Sequence, residues 1–339
     1  MDERTGTPSQ IGESSDAFRL LKWTWRALFS RQELVVFILL VFVATFLGLW
    51  TDTFFSSNNL FSVLRAFSWI AIAAFGESMV IIIGGIDLST GAVMALSGLI
   101  SAIFMRAGLS VPLAIVAGLL TGGAVGWVNG TMVGRIRLPP FIVTLGTMSI
   151  ARGIAFGLTG GWPVRDLPQS FRLLGQHQLP VGPWLVPLPV LFMLALAVLV
   201  GLLLGRTLLG RYIYTLNSSE RALLVSGVNV VQLKVLVYTL CGLLTAVGGL
   251  LMTARLGVAA PTAAAGYELD IIAAAIIGGS SLFGGEGSIP GVLLGAAIMQ
   301  MLRNGLVLLG FPVYWQSVTI GATILIAILL DYWRRRHTL

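Results

Sequence analysis

Charge is what this chain has least of. Only 10% of its 339 residues are Asp, Glu, Lys or Arg, whereas 56% are hydrophobic. A soluble domain carries about a quarter charged residues. This chain cannot cover a globular surface with polar side chains, so it belongs in a bilayer. Cysteine is nearly missing too. Cys241 is the sole one, inside an apolar run, which excludes a disulfide framework and a cysteine metal cluster and predicts a small core residue. The two histidines, His177 and His337, lie far apart and supply no zinc ligand set. No HExxH or GxSxG occurs, and no apolar run holds a histidine to act as a general base. Lysine is scarce in an informative way. Lys22 follows Leu21 and Lys234 follows Leu233, so neither closes a phosphate-binding Gly-Lys-Ser/Thr loop. If ATP drives this protein, a partner binds it. The net charge of +7 reads as basic loops on one side of a membrane, not as a nucleic-acid surface.

What is present is hydrophobic length. A span needs about 20 apolar residues, and ten candidates stand out: 34–50, 62–83, 91–105, 111–133, 141–160, 188–205, 234–254, 269–283, 289–310 and 316–333. The pattern predicts an all-α, polytopic membrane protein, with Gly-rich breaks or re-entrant turns around 84–91 and 279–288. Of the 21 Lys and Arg residues, only Arg106, Arg165, Arg172 and Arg255 fall in the loops of one side, and Arg65, Arg152 and Arg303 lie within or at the ends of spans. The rest gather on the other side, which puts both termini in the cytoplasm. Residues 1–33 then form a cytoplasmic tail with an interfacial stretch around Phe18–Phe29, 34–333 the membrane domain, and 334–339 a second cytoplasmic tail. Loop 161–187 is external and too rich in proline for a long helix. Loop 206–233 is cytoplasmic.

Glycine writes the packing. Gly118, Gly122, Gly126, Gly130 and Gly134 recur every fourth residue, and Gly287, Gly291 and Gly295 repeat the device. Such ridges let helices approach closely, either within one subunit or between two. A faint internal echo links IIIGGIDLSTGAVMAL (81–96) with IIGGSSLFGGEGSIPGVLL (276–294). It is a parallel repeat or a chance likeness of glycine turns.

Few charges lie inside the spans. Glu77 and Arg152 stand as a structural ion pair or as part of a proton relay. Asp87 and Ser89 are candidates to cap the following helix. In the cytoplasmic loop, Ser218 or Ser219 can cap a short helix, with Glu220 in its first turn, Arg221, the small Ala222, apolar Leu223, Leu224 and Val225, then Ser226, and Gly227 to end it. A polytopic chain without its own energy source, carrying a short amphipathic helix, looks like a transport subunit docked in an ATPase groove.

At these residues the chain resembles the permease subunits of ribose-type ABC importers. The likeness runs from about residue 34 to 333 and is carried by GGIDLSTG (84–91), LPPFIVTLGTM (138–148), SGVNVVQLKVLVYTLCGLL (226–244), GYELDIIAAAIIGGSSLFGGEGSIPGVLLGA (266–296) and NGLVLLGFPVYWQ (304–316). The resemblance implies a bacterial inner-membrane importer of a monosaccharide. It implies three partners besides lipid: a second permease subunit, identical or paralogous; a cytoplasmic ATPase that uses ATP and Mg; and an external sugar-binding protein. It implies no cofactor on this chain and no hydrolytic activity of its own. Residues 218–227 match the family's coupling segment. The family pattern is a GGN-type run followed by Glu-Ala-Ala, which Glu220, Ala222, Ser226 and Gly227 fit, whereas Asn217, Ser218 and Arg221 depart from it. Glu77, Asp87, Asn129, Phe141, Thr144 and Arg152 are candidates to line the translocation path, chosen for polar or aromatic type and depth. The rival reading is an ion-coupled secondary transporter of small polar solutes, against which the poor supply of intramembrane acids counts.

Overall fold

The computed structural model describes residues 31–181 and 184–336; the stretch Phe18–Phe29 and the last three residues lie outside the described residues. The chain is helical almost throughout. In order come α1 (Arg31–Trp50), α2 (Ser57–Ile82), α3 (Thr90–Arg106), α4 (Val111–Thr131), α5 (Pro140–Thr159), α6 (Gln169–Gln176), α7 (Leu188–Arg206), α8 (Leu208–Ser218), α9 (Glu220–Val225), α10 (Val230–Leu256), α11 (Tyr267–Ile277), α12 (Ile289–Leu308) and α13 (Val313–Arg336). A π-turn, Met132–Ile136, extends α4. Nine of the ten predicted spans lie on a helix to within two residues. Among the described residues seven helices are long and apolar enough to cross a membrane. The exception that matters most is α11. It has 11 residues, about 16 Å of rise, roughly half of a 30 Å hydrocarbon core. The predicted span 269–283 breaks at Ile277, and the chain just beyond it, Gly278 to Ser281, is buried in protein, where irregular backbone is tolerated at membrane depth, before Phe283 and Glu286 come to the surface.

Helices α2 and α10 form the centre. Their spanning windows are 83% and 67% buried, against 17% for α1 and 22% for α5. The peripheral helices turn apolar side chains outward: Leu120, Ile142, Val198 and Leu325 all stand more than half exposed. Facing water, this would be a large unpaired apolar surface; facing lipid, it needs no cover.

Both glycine ridges pack inside the chain. A Cβ on Gly122 would strike the Gly242 carbonyl of α10, one on Gly126 the Tyr238 carbonyl, and one on Gly130 would come within 2.6 Å of Val235 Cα. Gly291 and Gly295 meet Gly278 and Ala274 at α11 in the same way, Gly287 lies against Ser280 and Ile82, and Gly118 lies 2.8 Å from the Ser97 carbonyl by the same measure. Gly126→Leu is therefore expected to cost about 1–3 kcal/mol by overpacking. Gly146→Leu, where nothing lies within 4 Å of a new Cβ, should leave the thermal unfolding midpoint in detergent unchanged. Equal midpoints for the two variants would show that the ridge is not a packing device.

The proline-rich loop holds more order than its composition predicts. Pro168 precedes the eight-residue α6, whose Phe171 is fully buried. A hairpin follows, with β1 (Gln178–Val181) antiparallel to β2 (Trp184–Pro187). Val164 pairs with Ala259 across an isolated bridge, which ties the loop to the segment after α10.

Candidate functional site

The short helix is built locally. Thr207 caps α8, its hydroxyl accepting from Gly210 N–H at 3.1 Å. Amphipathic α8 buries Ile213 and Leu216 and carries the chain to Ser219, whose extended backbone breaks the helix. Of the two candidate caps, Ser219 serves: its Oγ accepts from Ala222 N–H at 3.2 Å. Ser218 instead ends α8 and faces Gly285. Glu220 pairs with Lys234 Nζ at 3.2 Å, so α9 is tethered to the start of α10. Ser226 Oγ donates back to the Ala222 carbonyl, and Gly227 at φ +78 stops the helix. The three apolar residues divide. Leu223 turns inward at 4% exposure, which removes it from any docking surface, while Leu224 and Val225 stand 56% and 84% exposed. Arg221 and Ala222 are exposed beside them.

Behind α9 lie two glycine turns with one design. Helix α2 ends where Gly84 N–H donates to the Ile81 carbonyl and Gly85 N–H to that of Val80, with Gly84 at φ +82; α11 ends where Gly279 N–H donates to Ile276 and Ser280 N–H to Ala275, with Gly279 at φ +99. This is the Schellman cap, which needs a left-handed residue and so selects glycine. It gives the echo between 81–96 and 276–294 a physical basis. Gly285 N–H donates to the Ile82 carbonyl at 2.8 Å, joining the two turns. From α8, Tyr214 Oη donates to the Gly287 carbonyl at 2.8 Å, and burial raises its phenol pKa, which keeps the proton on the donor. Asn217 Nδ2 donates to the Phe283 carbonyl. At the far end of the second turn, Ser288 Oγ donates to Glu33 of α1.

Beneath the first turn sits a buried polar network. Glu77 Oε1 accepts from Asp87 N–H at 3.0 Å. Asp87 Oδ1 accepts from Ser89 N–H at 2.8 Å and from Ser89 Oγ. Asn129 Nδ2 reaches Ser89 Oγ at 3.1 Å and Asp87 Oδ2 at 3.4 Å, and Asn129 Oδ1 accepts from Thr147 at 2.7 Å. Thr144 Oγ1 donates to the Ile86 carbonyl at 3.1 Å. Four of the six path candidates, Glu77, Asp87, Asn129 and Thr144, thus come together, all at 2% exposure or less. The expected capping of α3 takes another form. Ser89 holds the N-cap position but makes no side-chain capping bond; its N–H and hydroxyl both go to Asp87.

Phe141 and Arg152 stand apart. Phe141 points outward at 54% exposure. Arg152 Nη1 donates to the Pro261 and Ala263 carbonyls at 2.8 Å each, so neither the Glu77–Arg152 ion pair nor a relay through it forms. Depth explains this. Glu77 lies five residues, about 8 Å, from the end of α2, whereas Arg152 lies twelve residues, about 18 Å, from the start of α5 near the same face.

An intramembrane ion pair went unforeseen. Asp270 of α11 pairs with Arg303 of α12, and the guanidinium sits 4.7 Å from the Tyr267 ring centroid. Asn59 and Asn304 exchange amide hydrogen bonds at 3.0 and 2.8 Å nearby. The signal was available: opposite charges in consecutive predicted spans are expected to pair. On the face opposite α9, a cavity of about 690 Å³ opens beside Arg165, Asp166, Arg172 and Gly257.

Comparison with known proteins places this architecture. The family model for the branched-chain amino acid transport system / permease component matches residues 59–328. The ribose import permease protein RbsC of Escherichia coli K12 is 40% identical over 90% of this chain and 94% of its own. The D-allose transport system permease protein AlsC of the same organism is 38% identical over 90% and 93%. The L-arabinose ABC transporter permease protein AraH of Azospirillum brasilense is 34% identical over 89% and 88%. No solved structure matches the chain. A multi-pass helical bundle, matched by one family model over most of its length and by transport permeases nearly end to end, belongs to the branched-chain amino acid transport system / permease component family.

Proposed function

We propose that this chain is the membrane-spanning permease subunit of an ATP-driven ABC importer for a monosaccharide, a pentose, hexose or related small sugar, in a bacterial inner membrane. The relatives named above support the sugar class. The observation that carries the coupling role is α9: a capped, six-residue helix with Leu224 and Val225 outward, tied at its base to α10. Its chemistry fits a groove on a separate ATPase, which would hold ATP and Mg, while this chain binds no cofactor. The α9 face is then cytoplasmic, with both termini on that side. A sugar-binding protein would dock on the opposite face, at the loop 161–187 and the cavity beside it, and a second permease subunit would complete the path. Glu77, Asp87, Asn129 and Thr144 act on this reading by holding the first glycine turn, not by lining the path.

Affinity purification of the chain from its own membranes tests this. Because Glu220 serves Lys234, the informative variant is Leu224→Asp with Val225→Asp, which alters only outward side chains. The wild type should bring down an ATPase and the variant should lose it, at equal yield of folded permease. Uptake by purified wild type in liposomes under an ion gradient, with no ATPase present, would overturn the reading.

A further inference from the structure

We infer that Asn217 is a strut through which movement of α9 reaches both glycine turns at once; the inference rests on the importer reading above. Asn217 lies in the last turn of α8, two residues before the Ser219 cap of α9. Its Nδ2 donates to the Phe283 carbonyl in the second turn. The same side chain covers Gly84 of the first turn and Gly284 of the second, and a Cβ on either glycine would run into it. Both glycines have positive φ, at +82 and +75, so their missing side chains leave a slot that one short amide fills.

The contact has leverage in both directions. Tyr214 and Asn217 are three residues apart and share a face of α8. Tyr214 holds Gly287 while Asn217 holds Phe283, so the second turn is gripped at two points and cannot pivot on one. The two turns are themselves joined by Gly285 N–H and the Ile82 carbonyl. Beyond the first turn, Glu77 of α2 holds Asp87 N–H, and Asp87 holds Ser89 at the start of α3. A displacement of α9 therefore has a continuous, hydrogen-bonded route to the ends of α2, α3, α11 and α12.

Asn217 sits at the surface, so its replacement need not disturb folding. The experiment is amide hydrogen exchange on the permease purified with its ATPase in lipid nanodiscs, with and without ATP and vanadate, for wild type, Asn217→Gly and Asn217→Asp. Aspartate keeps the shape and loses the donor. In wild type, nucleotide is expected to change exchange at α9 and at both turns, 83–89 and 278–288. In both variants α9 should still respond, whereas the response of the turns should shrink about three- to tenfold, the size of one lost hydrogen bond of ordinary net strength. This ratio is insensitive to how much folded complex is recovered, so a merely structural role would not move it. Turns that respond equally in wild type and both variants overturn the strut and leave the importer reading standing. An α9 that fails to respond in wild type overturns the importer reading, and the strut with it.

Discussion

Arg303→Ala is expected to destabilise the folded protein by about 3–5 kcal/mol, the cost of breaking a buried ion pair from one side. Asp270 is 1% exposed and sits in the first turn of α11, where the helix dipole favours its charge. Without Arg303 the carboxylate is stranded, and α11 is too short to be held by its own hydrogen bonds. The guanidinium also stacks over Tyr267. Arg303→Lys should therefore fall between wild type and alanine, keeping the charge but losing the planar fork and part of the ring contact. The double variant Arg303→Ala, Asp270→Ala should recover much of the loss, because no charge is then left unpaired. Unfolding midpoints in detergent for wild type, Arg303→Ala, Asp270→Ala and the double variant form a double-mutant cycle. Equal midpoints for wild type and Arg303→Ala would mean that the pair holds nothing.

Which features were legible in the sequence follows from how local their causes are. Nine of the ten predicted spans lie on a helix to within two residues because length and hydropathy act residue by residue, and only 269–283 breaks, at Ile277. A serine cap at 218 or 219, the Gly227 stop and the glycine ridges were legible for the same reason: each states a requirement of one backbone position, although only the structure selects Ser219. Helix α8 was not read because Arg211 and Asn217 break its apolar run, and only packing of Ile213 and Leu216 onto the bundle stabilises it. The inward turn of Leu223 depends on what α9 packs against, and no pattern of six residues fixes that. Glu77 and Arg152 were paired by charge alone, while their depths along α2 and α5 kept them apart. Asp270 lies inside the stretch that carries the resemblance, and its charge is as anomalous for a span as that of Glu77. The role of Asn217 needed two turns nearly 200 residues apart in sequence to be brought to one side chain.

Asp87→Ala is the second large effect expected. It removes the acceptor of Ser89 N–H, Ser89 Oγ and Asn129 Nδ2 together, in a site closed to bulk solvent at 2% exposure. Each buried donor left unmade costs about 1–3 kcal/mol, and although Asn129 keeps Ser89 Oγ and Thr147, the total should reach several. Asp87→Asn keeps one acceptor for Ser89 but turns an NH₂ toward the NH₂ of Asn129. That amide cannot flip freely, because its Oδ1 already serves Thr147, so one mismatch of about 1–3 kcal/mol remains. Glu77→Gln preserves the oxygen that receives Asp87 N–H and should be the mildest of the three. The predicted order of unfolding midpoints is Glu77→Gln, then Asp87→Asn, then Asp87→Ala. Amide exchange at 84–89 should accelerate in the same order, because the network's task on this reading is to hold that turn. A path-lining role predicts something else: uptake falls while midpoints and exchange stay at wild-type values. The two measurements made on the same three variants separate a turn that is positioned from a path that is lined.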